Sequence, residues 1–367
     1  MNNFGIMSLS LDHENNYIHQ MAKYGHNYGF TIYHFVPSTY HPFTHTVKGK
    51  EYMPDSDTWI ESEFPVPSML YDRCFYHDDS HSIQCKNIIQ WLKKQPNITF
   101  IGNGLPNKWQ LYQVLRESKL AAYIPETFLL QSANQVNFQN LNPVIIKPIN
   151  GSQGIGLYFI MKQKEGILVR TDKKEKTVEK LFSDRLTFNK WLNQLLKRNA
   201  YLMQAYLPLS NKEEQPFDIR AFLQKNTKEK WEVIEKGVRV GEKGRIISNL
   251  SAGASIVAFD DWFPSVPVKW KAFLKQEMEE IFSLLPSILE DSFSALFEIG
   301  VDIGITQNGS LWILDVNSKP GRKVIMTAYP HLCEKLYKAP ILYAAKLADD
   351  KRRNLDEKAI SHRNNHR

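Results

Sequence analysis

The segment LFEIGVDIGITQNGSLWILDVN (residues 296–317) constrains the fold more tightly than any other stretch, because two alternating apolar runs flank Asn308-Gly309, the dipeptide that most strongly signals a two-residue hairpin. With those two residues as the loop, Gln307 pairs with Ser310, and counting outward puts Asp302 opposite Asp315, Gly300 opposite Asn317 and Glu298 opposite Lys319. Strand parity places these six on one face and Phe297, Ile299, Val301 and Ile303 on the other, beside Trp312, Leu314 and Val316. Directly opposed side chains have Cβ atoms about 4.5–5.5 Å apart, and like charges at that spacing repel. A cation is therefore expected between the two aspartates. Asp302, Asp315 and Asn317 offer only oxygen donors, which suits Mg²⁺, and they are the expected metal ligands. Glu298 is assigned instead to an ion pair with Lys319.

The rest of the chain sets the scale. At 367 residues it exceeds one ordinary core and suits two or three packed domains. Hydrophobic residues at 43% and charged residues at 23% exclude disordered, collagenous and membrane classes. No basic stretch precedes the N-terminal apolar run, and no run approaches the roughly 18 apolar residues of a membrane span. Cys74, Cys85 and Cys333 are odd in number and scattered, which points to a reducing cytoplasm rather than a disulfide framework or zinc site. Residues 351–367 carry +4 and residues 162–180 carry +3, together the whole net charge of +7. A tail and a Lys-rich loop are solvated surface, not the aromatic-lined basic groove that nucleic acid needs.

Along the chain, FGIMSLSL, a helical spacing over 17–28 and FTIYHFVP predict a βαβ start. Pro- and Ser-rich irregular sequence is expected to about Pro67, followed by the strand SMLYDRCFY, a helix through IIQWLKK and the short strand ITFIG. An open α/β domain over 1–103 summarises this part. Asn107 is the expected N-cap of a helix with Trp109, Tyr112 and Leu115 on one face, and IPETFLL resumes extended structure. Strands dominate from 144 to 317, with helices near 188–197 and 270–285.

The segment PVIIKPINGSQGIGLYFIM is a strand ending in Lys147, a loop with Gly151, Gly154 and Gly156, and a second strand. Glycines let backbone N–H groups approach phosphate oxygens, and a lysine adds positive charge. Because a strand follows where a Walker loop or dinucleotide fingerprint needs a helix, the reading is a Gly-rich hairpin flap.

These two elements in this order, with IGNGLPNKWQLYQVL, IPETF, YLMQAYLPL, PFDIRAFLQ, GVRVGEKGRIISNLSAG and WILDVNSKPGR, resemble the YheC/YheD-like branch of the ATP-grasp superfamily, a branch of spore-forming bacteria associated with the spore coat. The resemblance implies an α/β (α+β) architecture: an ATP-grasp fold preceded by the open α/β domain. Its parts would be a small subdomain with the flap over 104–200, a large subdomain with the metal site over 201–345, and a basic tail over 346–367. By the same resemblance, Lys108 and Lys147 contact the nucleotide phosphates, the loop of Gly151, Ser152, Gly154 and Gly156 covers them, and Gln204, Ala205, Tyr206 and Leu207 form the hinge whose backbone binds adenine. Asp302, Asp315 and Asn317 hold one or two Mg²⁺ ions, with Mn²⁺ as the alternative. Asp218, Arg220, Arg239 and Asn249 fall where relatives bind the acyl phosphate or substrate. Two departures stand out, Asp315 where the superfamily usually has Glu, and Ala254 where paired glycines are usual.

The implied activity is an ATP-dependent ligase that activates a carboxylate as an acyl phosphate and joins it to an amine, acting on an amino acid, peptide or cell-envelope precursor. A spore-coat structural protein with a residual ATP site and a kinase with a hydroxyl acceptor are the alternatives. Spore-coat proteins are the implied partners and the cytoplasm or coat the implied location. Asp72 and Arg73 are further candidates for substrate contact, with a structural role as the alternative.

Overall fold

A computed structural model describes residues 2–138, 142–151, 154–174, 176–250 and 253–364, with side chains to residue 353. The chain opens with β1 (Asn2–Met7), α1 (Asn15–Asn27) and β2 (Phe30–Phe35), the two strands pairing in parallel with Phe4 opposite Ile32. The stretch expected to be irregular instead forms a hairpin, β3 (Thr46–Met53) and β4 (Thr58–Pro65), that widens the first sheet. Its register sets Lys48 opposite Glu63 and Lys50 opposite Glu61. The side chains the hairpin buries are Val47, Tyr52 and Phe64, too sparse an apolar pattern to mark two strands, which is why hydrophobic pattern alone misses it. After β5 (Met69–Asp72), α2 (Ser80–Leu92) and β6 (Thr99–Phe100) the strand order is β4-β3-β2-β1-β5-β6.

Helix α3 (Lys108–Arg116) begins as expected at Asn107, whose side chain accepts from the N–H groups of Trp109 and Gln110. It buries Leu111 and Leu115, while Trp109 and Tyr112 stack on each other with centroids 5.5 Å apart.

A second, antiparallel sheet contains β7 (Thr127–Leu130), β8 (Val144–Pro148), β9 (Tyr158–Gln163), β10 (Gly166–Asp172), β11 (Thr177–Phe182) and β12 (Tyr201–Ala205), in the order β11-β10-β9-β8-β12-β7. Helix α4 (Arg185–Leu196) covers it through the buried Phe188 and Leu192.

The third sheet has the order β15-β14-β13-β16-β17, from β13 (Phe217–Lys225), β14 (Trp231–Val240), β15 (Ser255–Ala258), β16 (Glu298–Ile305) and β17 (Leu311–Asn317). Between β15 and β16 run α5 (Phe259–Trp262) and α6 (Val268–Ser292). The latter continues past the expected end near 285, through Pro286, because Leu285, Pro286 and Leu289 all bury in the sheet's core and that packing outweighs the lost backbone hydrogen bond. After α7 (Lys323–Ala328), α8 (Cys333–Asn364) runs through the boundary expected at 345/346. Its Ile341, Tyr343 and Ala344 bury against Phe4, Ile18 and Phe30, so the end of the chain returns to the first core. Among the described residues no helix is long and apolar enough to cross a membrane.

Candidate functional site

The β16–β17 hairpin closes through three loop residues rather than two. The Thr306 N–H bonds the Ser310 carbonyl at 3.0 Å, the Gly309 N–H bonds the Thr306 carbonyl at 2.8 Å, and Gly309 takes a left-handed φ of 86°. Pairing near the turn is therefore one residue out of the expected register, with Ile305 opposite Leu311 and Ile303 opposite Ile313. A bulge then makes Leu314 the extra residue and restores the count, so that Asp302 does lie opposite Asp315 and Gly300 opposite Asn317. The bulge also corrects the faces. Trp312 pairs with Gly304 and Leu314 packs over it, both on the carboxylate side, while Leu311, Ile313 and Val316 enter the core.

The cation expected between the aspartates is supplied here by protein side chains. Lys108, first residue of α3, donates to Asp315 Oδ2 at 2.5 Å, and Asn317 Nδ2 approaches the same oxygen at 3.4 Å. Arg220 lies opposite Asp302 and grips it with two bonds, Nε to Oδ1 at 2.5 Å and Nη2 to Oδ2 at 3.1 Å. Gly300 makes room for it, since a Cβ there would stand 2.9 Å from Arg220 Nη1. Arg239, opposite Asp218, pairs with that residue through both nitrogens of its fork and reaches Asp302 Oδ2 at 3.0 Å. Burial pushes the Asp302 carboxyl upward, but Arg220 and Arg239 hold it below the usual carboxylate range. Asp218 goes the other way, raised by burial and by the charge of Asp302 against the pull of Arg239.

Lys147 ends β8 on the second sheet and crosses to the third, where Nζ donates to the Leu314 carbonyl at 3.2 Å. The bulge residue is left out of the ladder, and its carbonyl is what this lysine uses. Burial first, then the charge of Lys108, push the Lys147 ammonium down to about 8 against the pull of Asp315 and Asp302. Two lysines and two carboxylates from four elements thus meet between the sheets.

The run Gln204 to Leu207 ends β12 and leads toward β13. Gln204 Nε2 donates to Thr127 Oγ1 at 2.5 Å, the Tyr206 N–H is taken by the Pro143 carbonyl at 3.0 Å, and the Tyr206 ring meets Phe159 edge-on. In the flap, Gly151, Gly154 and Gly156 have φ of 137°, 68° and 76°, a region that only glycine enters freely. Gly154 lies against the loop before β15, where a Cβ would be 3.4 Å from Asn249 Nδ2, so Asn249 meets the flap. Ser152 lies outside the described residues.

The expected pair of Glu298 and Lys319 does not form. Lys319 pairs with Asp72 at 2.6 Å, and Glu298 is enclosed by Arg73 at 2.7 Å, Arg322 at 2.5 Å and the Tyr71 hydroxyl at 2.7 Å. Arg73, fully buried, also bonds Glu14 at 2.8 Å. Arg73 therefore joins the N-terminal sheet to β16, the strand bearing Asp302, and Asp72 joins it to the segment just after β17. Sequence reasoning had no view of Arg322 or Glu14, although the motif NSKPGR contains the arginine.

The donors fit a hard divalent cation. Asp302 is ionised, and among the described residues no hydrogen bond reaches Asp315 Oδ1 or Asn317 Oδ1, which leaves carboxylate and amide oxygens for a metal and its waters.

Comparison with known proteins adds to this geometry. The family described as YheC/D-like ATP-grasp matches residues 97–347. The chain is 38% identical over 344 residues to the endospore coat-associated protein YheC of Bacillus subtilis (strain 168), covering 92% of this chain and 93% of that one. It is 26% identical to YheD of the same organism over 80% of this chain and 65% of YheD. Among solved structures, the ATP-grasp ligase PsnB with a minimal precursor superposes with a TM-score of 0.54 at 13% identity, over 94% of this chain and 100% of PsnB. The D-alanine-D-alanine ligase from Coxiella burnetii gives 0.53 at 10%, over 98% of this chain and 100% of the ligase. At these identities the likeness is one of fold.

Proposed function

Because the chain belongs to the YheC/D-like ATP-grasp family, we propose that it is an ATP-dependent carboxylate–amine ligase working between β8, β16 and β17. The observation that carries this reading is the meeting of Lys108 and Lys147 with Asp302 and Asp315, lysines from one side and carboxylates from the other. Polyphosphate held by a divalent ion needs that arrangement: cations against its oxygens, and carboxylates on the metal.

In the proposed site Lys108 and Lys147 bind phosphate oxygens of ATP, the flap from Gly151 to Gly156 closes over them, and the backbone of Gln204 to Leu207 receives the adenine. The Tyr206 N–H is already committed to Pro143, which leaves its neighbours to donate. Asp302, Asp315 and Asn317 are the residues that would hold Mg²⁺, which when bound neutralises and orients phosphate oxygens. The carboxylate of the acceptor attacks the γ-phosphorus, the bond to the bridging oxygen breaks, and ADP leaves. An amine nitrogen then attacks the acyl carbon, inorganic phosphate departs with the C–O bonding electrons, and the nitrogen releases a proton as the amide forms. Arg220 and Arg239 stand beside Asp302 where they stabilise the acyl phosphate, and Asn249 meets the flap that keeps water from hydrolysing it.

A coat-associated structural role is the second reading, favoured by the relation to YheC, whose name records association with the endospore coat. Incubating the protein with Mg-ATP and pooled amino acids and peptides separates the readings. A ligase releases ADP and free phosphate only with its acceptors. A kinase leaves the phosphate on a product, and a structural protein consumes no ATP; either result removes the ligase assignment.

A further inference from the structure

The segment that follows Asn317 is tied down almost residue by residue, mostly by β5, a strand of another sheet. Ser318 Oγ accepts the Leu105 N–H at 2.8 Å. Lys319 Nζ bonds Asp72 Oδ1 at 2.6 Å and the Cys74 carbonyl at 2.8 Å, and it lies 4.5 Å from the centre of the Tyr76 ring. The Pro320 carbonyl accepts from Arg73 Nη2 at 3.3 Å, and Arg322 Nη2 donates to the Tyr71 hydroxyl at 2.5 Å. Every residue from Tyr71 to Cys74, at and just past the carboxyl-terminal end of β5, thus bonds to this segment.

That anchorage matters because the hairpin itself does little to aim Asn317. The residue is the last of β17, and the ladder ends with its pairing to Gly300. Gly300 has no side chain to pack against it. The space over that glycine is taken by Pro320 Cβ and Arg220 Nη1, 2.7 and 2.9 Å from where a Cβ would stand. Among the described residues the Asn317 side chain makes one hydrogen bond, the 3.4 Å contact with Asp315, a weak one at that length. The orientation of Asn317 is then set by where its backbone goes next, and the first fixed charge along that path is Lys319, two residues on.

Lys319 is firmly held. Its side chain is 15% exposed and that of Asp72 only 6%. Asp72 Oδ1 also accepts the Cys74 N–H at 3.0 Å, and Oδ2 the Tyr76 hydroxyl at 3.4 Å. Burial pushes the Asp72 carboxyl upward, but Lys319 and the Cys74 N–H bring it below the ordinary carboxylate range, so the pair stays charged. Losing either partner would leave the other charge buried and unpaired, so the contact has no alternative geometry of comparable energy.

We infer that Lys319 is a positioning residue for the metal: fastened to Asp72 and Cys74 at the end of β5, it sets the backbone after β17 and so aims the Asn317 carboxamide oxygen at an ion held by Asp302 and Asp315. The inference rests on the metal assignment proposed above. It also makes the N-terminal domain part of the nucleotide site, since Asp72 and Cys74 lie before residue 97, where the match to the ATP-grasp family begins. Groups that orient a metal ligand matter nearly as much as the ligand, and their loss typically lowers metal affinity about 10–100-fold.

Calorimetry of ADP binding to the full chain, once with Mg²⁺ and once with EDTA, tests this without turnover, because the ratio of the two affinities measures what the metal contributes. The variant combines Asp72→Asn with Lys319→Met, so that no buried charge is left unpaired, and circular dichroism checks its fold. Asp72→Asn alone, which keeps the shape of the side chain and its bond from the Cys74 N–H, is read in the same way. Affinity for ADP in EDTA is expected to match the unaltered chain, since Lys108 and Lys147 are untouched, while the gain from Mg²⁺ falls about tenfold or more. Asn317→Ala is expected to lose a similar share of that gain, and adding the pair of substitutions to it lowers the gain no further, because both act through one carboxamide. An unchanged Mg²⁺ gain in the folded variants overturns the inference. So does an equal loss of affinity with and without metal, the mark of a merely structural pair, and so do losses that add in the triple variant. An unaltered chain whose ADP affinity ignores Mg²⁺ removes the metal assignment itself, and this inference with it.

Discussion

Lys108 and Asp315, 207 positions apart in the chain, meet with Nζ 2.5 Å from Oδ2. The contact joins the start of α3 to the hairpin that carries Asp302 and Asp315, and both side chains remain about one-fifth exposed. Replacing Lys108 by Ala removes a charged donor from the proposed phosphate site. Mg-ATP affinity in titration calorimetry is expected to fall about tenfold or more, since hydrogen bonds to charged groups are worth about 1.5–3 kcal/mol. Unchanged affinity takes Lys108 out of the site.

Asp302→Asn acts on stability as well as function. Arg220 and Arg239 both lean on this carboxylate, and removing one partner of a buried ion pair costs about 3–5 kcal/mol. Urea denaturation of the variant is expected to show a loss of that size, and Mg²⁺-dependent ATP turnover to disappear even where the protein is fully folded. A folded variant with normal metal dependence excludes Asp302 as a ligand.

Lys147 gives a pH signature. Its ammonium is depressed from the ordinary 10.5 to about 8, so between those values the unfolded chain holds a proton that the folded one has released. Stability from this group therefore rises as pH climbs from about 8 to about 10.5 and is absent below 8. Phosphate binding favours the charged lysine, so Mg-ATP binding at pH 8–9 takes up a proton and weakens as pH rises through that window. Calorimetry in buffers of different ionisation enthalpy measures the uptake. Lys147→Met is expected to abolish it; equal proton uptake in the variant assigns the titration elsewhere.

Gly309 tests the turn. At φ 86° an added Cβ is strained, and it would stand 2.8 Å from the Trp270 ring. Gly309→Ala is expected to destabilise the protein by about 1–3 kcal/mol, read as a lowered denaturation midpoint. A neutral substitution shows that the loop relaxes to another turn type.

The hairpin shows how far the sequence reaches. Alternation and the Asn308-Gly309 turn placed Asp302 opposite Asp315, but the pairing holds because two one-residue departures cancel, a longer loop and the bulge at Leu314. The Trp270 ring lies against Gly309 in that loop, and nothing in the local pattern announces the bulge that turned Trp312 and Leu314 onto the carboxylate face. The β3–β4 hairpin escapes the sequence pattern because the side chains it buries, Val47, Tyr52 and Phe64, are too few to mark two strands until they are aligned.

What the sequence determined by itself was whatever depends on near neighbours: the Asn107 cap, the alternation of β16, and the glycines of the flap. Side chains a few residues apart share one rigid backbone geometry, so period and turn chemistry fix their relations. Tertiary structure alone decided the charge partners. Arg220 shares a strand with Asp218 yet binds Asp302, and Glu298 binds Arg73 and Arg322 rather than Lys319. A buried charge takes whichever counter-charge the packing of sheets brings within reach, because leaving it unpaired costs several kcal/mol. That choice depends on strand order and on ion pairs between residues as far as 247 positions apart, as between Asp72 and Lys319, which no local pattern contains.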